Sequence, residues 1–131
     1  MQLSAACVET LLHAEAKALA TKSSAGEVNV VPVSTLKMVG DEILLVNYFF
    51  GQTLENIQSN PEVALAYWKG LEGYQLKAVA RYETTGALFD EVVMWIKEIL
   101  PSRVVKGIVI LTPQSVRDIS ADAERAGKVV G

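Results

Sequence analysis

The sequence predicts a mainly β domain with helices: a small, mostly antiparallel barrel of about six strands and two main helices. Three observations predict it. Short apolar or β-branched stretches recur along the chain, at residues 17–22, 28–36, 43–48, 63–68, 74–83 and 104–112. Few of them are separated by a helix long enough for a parallel crossover, which argues against a doubly wound sheet. Residues 74–83 alternate, with Tyr74, Leu76, Ala78, Ala80 and Tyr82 on one face and Gln75, Lys77, Val79, Arg81 and Glu83 on the other.

In chain order, residues 2–15 read as a helix with Leu3, Cys7 and Leu11 on one face. Residues 17–22 form a strand, and Ser23, Ser24, Ala25 and Gly26 a turn. Within the strand 28–36, Pro32 has no N–H to give a ladder, so it marks an edge, a bulge or an opening. Gly40 and Asp41 turn the chain into the strand 43–48. A short helix at 53–59 is stopped by Asn60-Pro61, because a residue before proline disfavours the helical region. An apolar strand at 63–68 leads into a loop at 69–73. Residues 87–100 form an amphipathic helix with Leu88, Val92, Trp95, Ile96 and Ile99 inward, ended by Pro101. After the strand at 104–112 the pattern fades, and residues 120–131 are expected to be a loose tail of a single domain, 1–131.

The strands at 43–46, 63–68 and 104–111 are apolar on both faces. A barrel buries only its inner face, so outer apolar faces need helices or a second subunit over them. Two substantial helices are too few, and a homodimer packed through barrel faces is expected.

The chain has 131 residues, half of them hydrophobic, which suits one compact domain. No apolar run reaches transmembrane length, no basic-then-apolar leader opens the sequence, and the single Cys7 cannot close an internal disulfide. Cytoplasmic residence is the expectation. The net charge of −3 and the lack of a Lys/Arg cluster argue against nucleic acid. No metal-ligand spacing, Walker loop or GxGxxG occurs, and no nucleophile–base pair is visible that would name a catalytic residue. His13, the only histidine, follows an apolar helix face and reads as structural.

The richest signal lies between Asn47 and Trp68. Gly51, Gln52 and Thr53 sit where a helix begins, and the unpaired N–H groups and positive dipole end there suit a phosphate. Tyr48, Phe49 and Phe50 precede that turn, and Tyr67 and Trp68 end the next strand; for Trp68 and Trp95 core packing is the preferred reading. A phosphate perch beside flat apolar surface suggests a phosphorylated planar ligand such as flavin mononucleotide (FMN).

In the order and spacing of three blocks the chain resembles the pyridoxamine 5'-phosphate oxidase-like FMN-binding split-barrel family, most of all its small FMN-binding proteins. The blocks are VNVVPVS at 28–34, LLVNYFFGQT with the following NP and ALAYW, and GYQLKAVARYETTG at 73–86; the resemblance runs over about residues 17–112. It implies a split β-barrel with FMN in a groove between two subunits. Val31, Pro32, Val33 and Ser34 would run along the flavin, and Val46, Asn47 and Tyr48 would lie beside it. Gly51, Gln52 and Thr53 would contact the phosphate, and Gln75 would reach the cofactor; Lys77, on the same polar strand face as Gln75, is a further candidate from its position alone. The backbone amides of 31–34, left out of a ladder that Pro32 interrupts, are expected to face the ring nitrogens.

Two departures from the family pattern stand out. The family turn usually holds a Lys or Arg, whereas Gln52 and Thr53 are neutral; backbone donors, the Thr53 hydroxyl, and Lys37 or Lys77 are the candidates to compensate. The C-terminal ERAGKVVG lacks the basic substrate segment of pyridoxamine phosphate oxidases proper, so oxidation of the vitamin phosphate is not expected. The implied function is that of a redox-active flavoprotein, either an electron carrier or a small flavin-dependent oxidoreductase. A deazaflavin enzyme of the same fold, a non-catalytic module for a flavin or haem-like ligand, and a barrel that binds nothing remain the alternatives.

Overall fold

The computed structural model describes residues 1–130. Helix α1 (Ala5–Leu12) is capped by Ser4, whose side chain accepts a hydrogen bond from the Cys7 amide; it drops Cys7 and Leu11 into the core, where Leu3, just ahead of the cap, joins them. Then follow β1 (Ala16–Lys22), β2 (Val28–Pro32), β3 (Leu36–Val39), β4 (Glu42–Asn47), α2 (Gln52–Ser59), β5 (Glu62–Lys69), β6 (Glu72–Glu83), α3 (Ala87–Ile99), β7 (Gly107–Asp118) and β8 (Val129–Val130). All strand pairs are antiparallel, in the order β2-β1-β5-β6-β7-β4-β3, with β8 added to β7. The path ends at β2 and β3, so the sheet is split, not closed into a barrel.

Eight strands form where about six are expected. The stretch 28–36 divides, because the chain leaves β1 just after Pro32 and re-enters the sheet on β4 as β3. β7 also continues beyond Thr112. Ala78 opposes Pro113 and Lys77 opposes Ser115, so Gln114 bulges out and the strand passes the proline, which has no N–H, without ending.

Two cores flank the sheet. Leu19, Ile43, Leu45, Leu65, Tyr67, Leu76, Val109 and Leu111 pack with α1 and with Ile57 of α2. Leu44, Val46, Tyr48, Ile108 and Ile110 pack against Val92 and Ile96 of α3, with Leu88 and Trp95 at the margin. β4 and β7 are therefore buried on both faces, which is why their sequences do not alternate. Ile99, expected inward, is 49% exposed at the last turn of α3. Trp68, expected in the core, lies on the uncovered outer face of β5.

The tail expectation is corrected. Ser120 is buried and its hydroxyl accepts a hydrogen bond from the Gly73 amide; Arg125 forms a two-pronged ion pair with Glu72; and Val129 and Val130 pair with Arg117 and Val116. These polar contacts join residues about fifty positions apart, so no local hydrophobic period announces them. Gly131 lies outside the described residues.

Several carboxylates are tied down in ways that set an acid response. The Arg81 guanidinium, and then the Thr112 hydroxyl, hold the Glu42 carboxyl below its ordinary value of 4.5. Hydrogen bonds from Ser120 hold Asp118 below 3.8. A carboxyl whose native pKa is depressed releases its proton more readily folded than unfolded. Its contribution is complete above the unfolded value and is lost as pH falls through the native one. Melting temperature should therefore decline as pH drops below the ordinary carboxylate range. Glu42→Gln should show a shallower decline, and an unchanged slope would assign the acid response to other groups.

Candidate functional site

The split in the sheet holds a cleft of about 360 Å³. One wall is the run out of β2, with Val31, Pro32, Val33 and Ser34; the other is the end of β4 and the entry to α2, with Val46, Tyr48, Phe49, Phe50, Gly51, Gln52 and Thr53. Nine of the predicted site residues meet there. The edge strand β2 ends at Pro32, its last pairing bond to β1 coming from Val33, and Gly51 opens α2, so two chain segments meet across the same gap.

The entry to α2 has no side-chain cap, since Gly51 occupies the N-cap position. The first intrahelical bonds run from Leu54 and Glu55 to the Gly51 carbonyl, which leaves the Gln52 and Thr53 amides ahead of the ladder. A Cβ built on Gly51 meets nothing within 4 Å, so the backbone is open to an approaching group. Thr53 is 1% exposed; its hydroxyl oxygen accepts from Asn29 Nδ2 at 3.0 Å and keeps its own proton to donate. Gln52 Nε2 donates to Asn56 Oδ1 at 2.8 Å, and Asn56 donates in turn to Thr21. The Gln52 side chain is thus laid along α2, and the donors left at the turn are backbone amides and the Thr53 hydroxyl.

The expectations for the 31–34 amides, Asn47 and Lys37 need correction. The amides of 31–34 are not left unpaired as a group: Val33 donates to the Lys17 carbonyl at 3.0 Å, and the two-residue alternation puts Val31 opposite Leu19 in the same ladder. Pro32 has no N–H, so Ser34, beyond the end of β2, is the residue of the four whose N–H has no internal acceptor among the described residues. Asn47 does not line the cleft. It is 1% exposed, its Oδ1 accepts from the Phe50 amide and its Nδ2 donates to the Tyr82 hydroxyl, both at 2.8 Å, so it shapes the loop behind the wall. Gln75 and Lys77, expected at a groove between two subunits, do not line the cleft of a single chain but lie on its outer sheet face, where Lys77 borders a separate groove of about 550 Å³ with Lys22, Glu62 and Val79. Nor is Lys37 at the cleft; its ammonium sits 4.9 Å from the Trp95 ring centre.

Sequence reasoning missed Asn29 and Arg103. Asn29 ties the edge strand to α2. Arg103 lines the cleft from the loop after α3, its guanidinium 5.3 Å from the Tyr48 ring centre and 5.4 Å from that of Phe49. A lone arginine after a Pro-Ser pair gives no local sequence signal of this.

An open antiparallel sheet, with a cleft in its split between an edge strand and a helix N-terminus, defines a protein of the pyridoxamine 5'-phosphate oxidase-like split-barrel class. The chain belongs to the pyridoxamine 5'-phosphate oxidase family, whose sequence pattern matches residues 3–123. An uncharacterised protein of Methanocaldococcus jannaschii is 30% identical over 117 residues, covering 86% of this chain and 77% of that one. Among solved structures, HupZ of Group A Streptococcus superposes with a TM-score of 0.85 at 20% identity, over 99% of this chain and 100% of that one. An FMN-binding protein from Syntrophomonas wolfei superposes at 0.72 and 17% identity, covering 81% and 78% of the two chains. HutZ, the haem storage protein of Vibrio cholerae, superposes at 0.68 and 18% identity, covering 88% and 94%. At such identities these structures establish the shared fold. No helix among the described residues is long and apolar enough to cross a membrane.

Proposed function

We propose that the cleft binds FMN and that the protein acts as a homodimeric, redox-active flavoprotein. The observation that carries this reading is one cleft joining a flat apolar wall to an uncapped helix N-terminus. The first suits a planar ring system and the second a phosphate. The residues present fit the cofactor. Val31, Val33, Val46 and Tyr48 would flank the ring, the free Ser34 amide would donate to its polar edge, and the Gln52 and Thr53 amides with the Thr53 hydroxyl would receive the phosphate. Bound flavin supplies electron storage and transfer; the chain orients it and keeps water from its apolar side.

The haem-storage neighbour from Vibrio cholerae supports a haem reading. The donor set of this cleft favours flavin. No His, Cys or Met lines it, and Tyr48, its one phenol, donates to the Thr35 hydroxyl.

The homodimer reading rests on a sheet face without cover. Of the three strands apolar on both faces, β4 and β7 are covered by α3, whereas β5 presents Ala64, Ala66 and Trp68 outward. Register sets Pro32, Ala18, Ala66 and Gln75 in one row across that face, and Val30, Ala20, Ala64 and Lys77 in the next. A second copy of this chain seated there would bury the alanine surface and bring Gln75 and Lys77 toward its partner's cleft.

The test is the visible absorbance spectrum after incubation with FMN and desalting. Retained flavin bands, with FMN bound more tightly than riboflavin, are expected. A colourless protein that leaves FMN unperturbed would overturn the reading. Retention of a deazaflavin instead would move the protein to that enzyme class.

A further inference from the structure

We propose that Arg103 supplies the charge that fixes the anionic end of the ligand in this cleft, taking the place of a basic residue in the Gly51-Gln52-Thr53 turn. The inference rests on the reading that the cleft takes a phosphorylated planar ligand. Arg103 enters the site from a segment about fifty residues away in sequence. Its backbone is fixed by a hydrogen bond that its amide donates to the Leu100 carbonyl at 3.0 Å, and Pro101 stiffens that turn.

The guanidinium is held in a defined place but not used up. It lies beside the rings of Tyr48 and Phe49, within cation–π range of both, and its side chain donates no hydrogen bond to another described residue, so its N–H groups are free. The described arginines at 81 and 125 are engaged by carboxylates, while Arg103 forms no ion pair among the described residues. Lys106 stands 5.9 Å from the Phe49 ring centre, so a second cation adds to the positive field at the mouth. No carboxylate side chain lines the cleft. A net acidic chain thus carries a locally cationic cleft, walled by rings that a planar ligand would also meet. An arginine fork matches two phosphate oxygens at once, which a lysine cannot do.

The test compares FMN and riboflavin, which differ only in the phosphate. Affinities are measured by flavin fluorescence for the wild-type chain, Arg103→Gln and Arg103→Lys, with thermal melts to confirm folding. Arg103→Gln should weaken FMN by roughly ten- to a hundredfold while leaving riboflavin nearly unchanged, and Arg103→Lys should fall between, since a charged hydrogen bond is replaced by a point charge. Wild-type preference for FMN that survives in Arg103→Gln would overturn the assignment of Arg103 alone. Equal losses for both flavins would also overturn it, by showing that the side chain acts through ring packing. Wild-type protein that binds neither flavin would instead sink the flavin reading and this inference with it.

Discussion

Gly107→Ala should lower the melting temperature by roughly 6–15 °C, the equivalent of about 2–4 kcal/mol in a domain of this size, and should weaken ligand binding at a cleft that Gly107 does not line. A Cβ at this position would collide with the Tyr82 ring at its hydroxyl, Cζ and Cε1. Backbone on β7 cannot retreat easily, because Gly107 pairs with Asn47 and the Lys106 amide donates to the Asn47 carbonyl at 2.9 Å. The Tyr82 ring has to swing, and its hydroxyl then leaves Asn47 Nδ2 without a partner in a site that is 1% exposed. Leaving a buried amide unsatisfied costs more than the bond itself is worth. The damage should propagate, since the same Asn47 holds the Phe50 amide and so sets where Gly51 and Thr53 stand. Tyr82→Phe separates the two effects: it keeps the ring and removes the hydroxyl, so it should cost less stability but still loosen the loop. A Gly107→Ala protein that melts like wild type and keeps its ligand affinity would show that Tyr82 moves aside without disturbing Asn47.

That chain of contacts also marks the limit of what could be read from the sequence. The elements and their order were legible because hydrophobic period is a local signal. Residues 74–83 alternate in the structure as they do in the sequence, and Ala87–Ile99 buries Val92 and Ile96 as its stripe requires. The cleft was legible where its parts carry their own chemistry: a glycine at a helix start, a proline on an edge strand, aromatics beside both. What escaped is polar and long-range. Asn47 looked like a ligand contact because it stands next to Tyr48, yet its amide is spent on Phe50 and Tyr82, 35 residues away. Arg103 looked like a loop residue, and only the folded path past Pro101 puts it over the Tyr48 and Phe49 rings. The ordering of the tail from residue 120 escaped for the same reason: Ser120 and Arg125 close onto Gly73 and Glu72 through hydrogen bonds, which leave no period in the sequence.

On the proposed homodimer, Ala66→Arg should yield a monomer that has lost most of its flavin. Ala66 stands in the middle of the uncovered face, between Ala18 on β1 and Gln75 on β6. Small side chains there let two sheets approach closely, and a guanidinium on each copy would bring like charges together in a desolvated contact. Within one protomer the substitution should be mild, because the side chain points away from both cores and can extend into water. Folding and assembly are thereby separated: circular dichroism should stay unchanged while the mass measured by light scattering falls to that of one chain. Flavin retention then reports on the site. If Gln75 and Lys77 reach the partner's cleft, affinity should drop with the loss of the dimer, and the wild-type protein should release flavin on dilution below its dimer dissociation constant. A monomeric variant that keeps wild-type flavin affinity would show that the cleft of a single chain is complete, with Gln75 and Lys77 outside it. A wild-type protein that is already monomeric at high concentration would remove the homodimer altogether and leave the alanine face to a different partner.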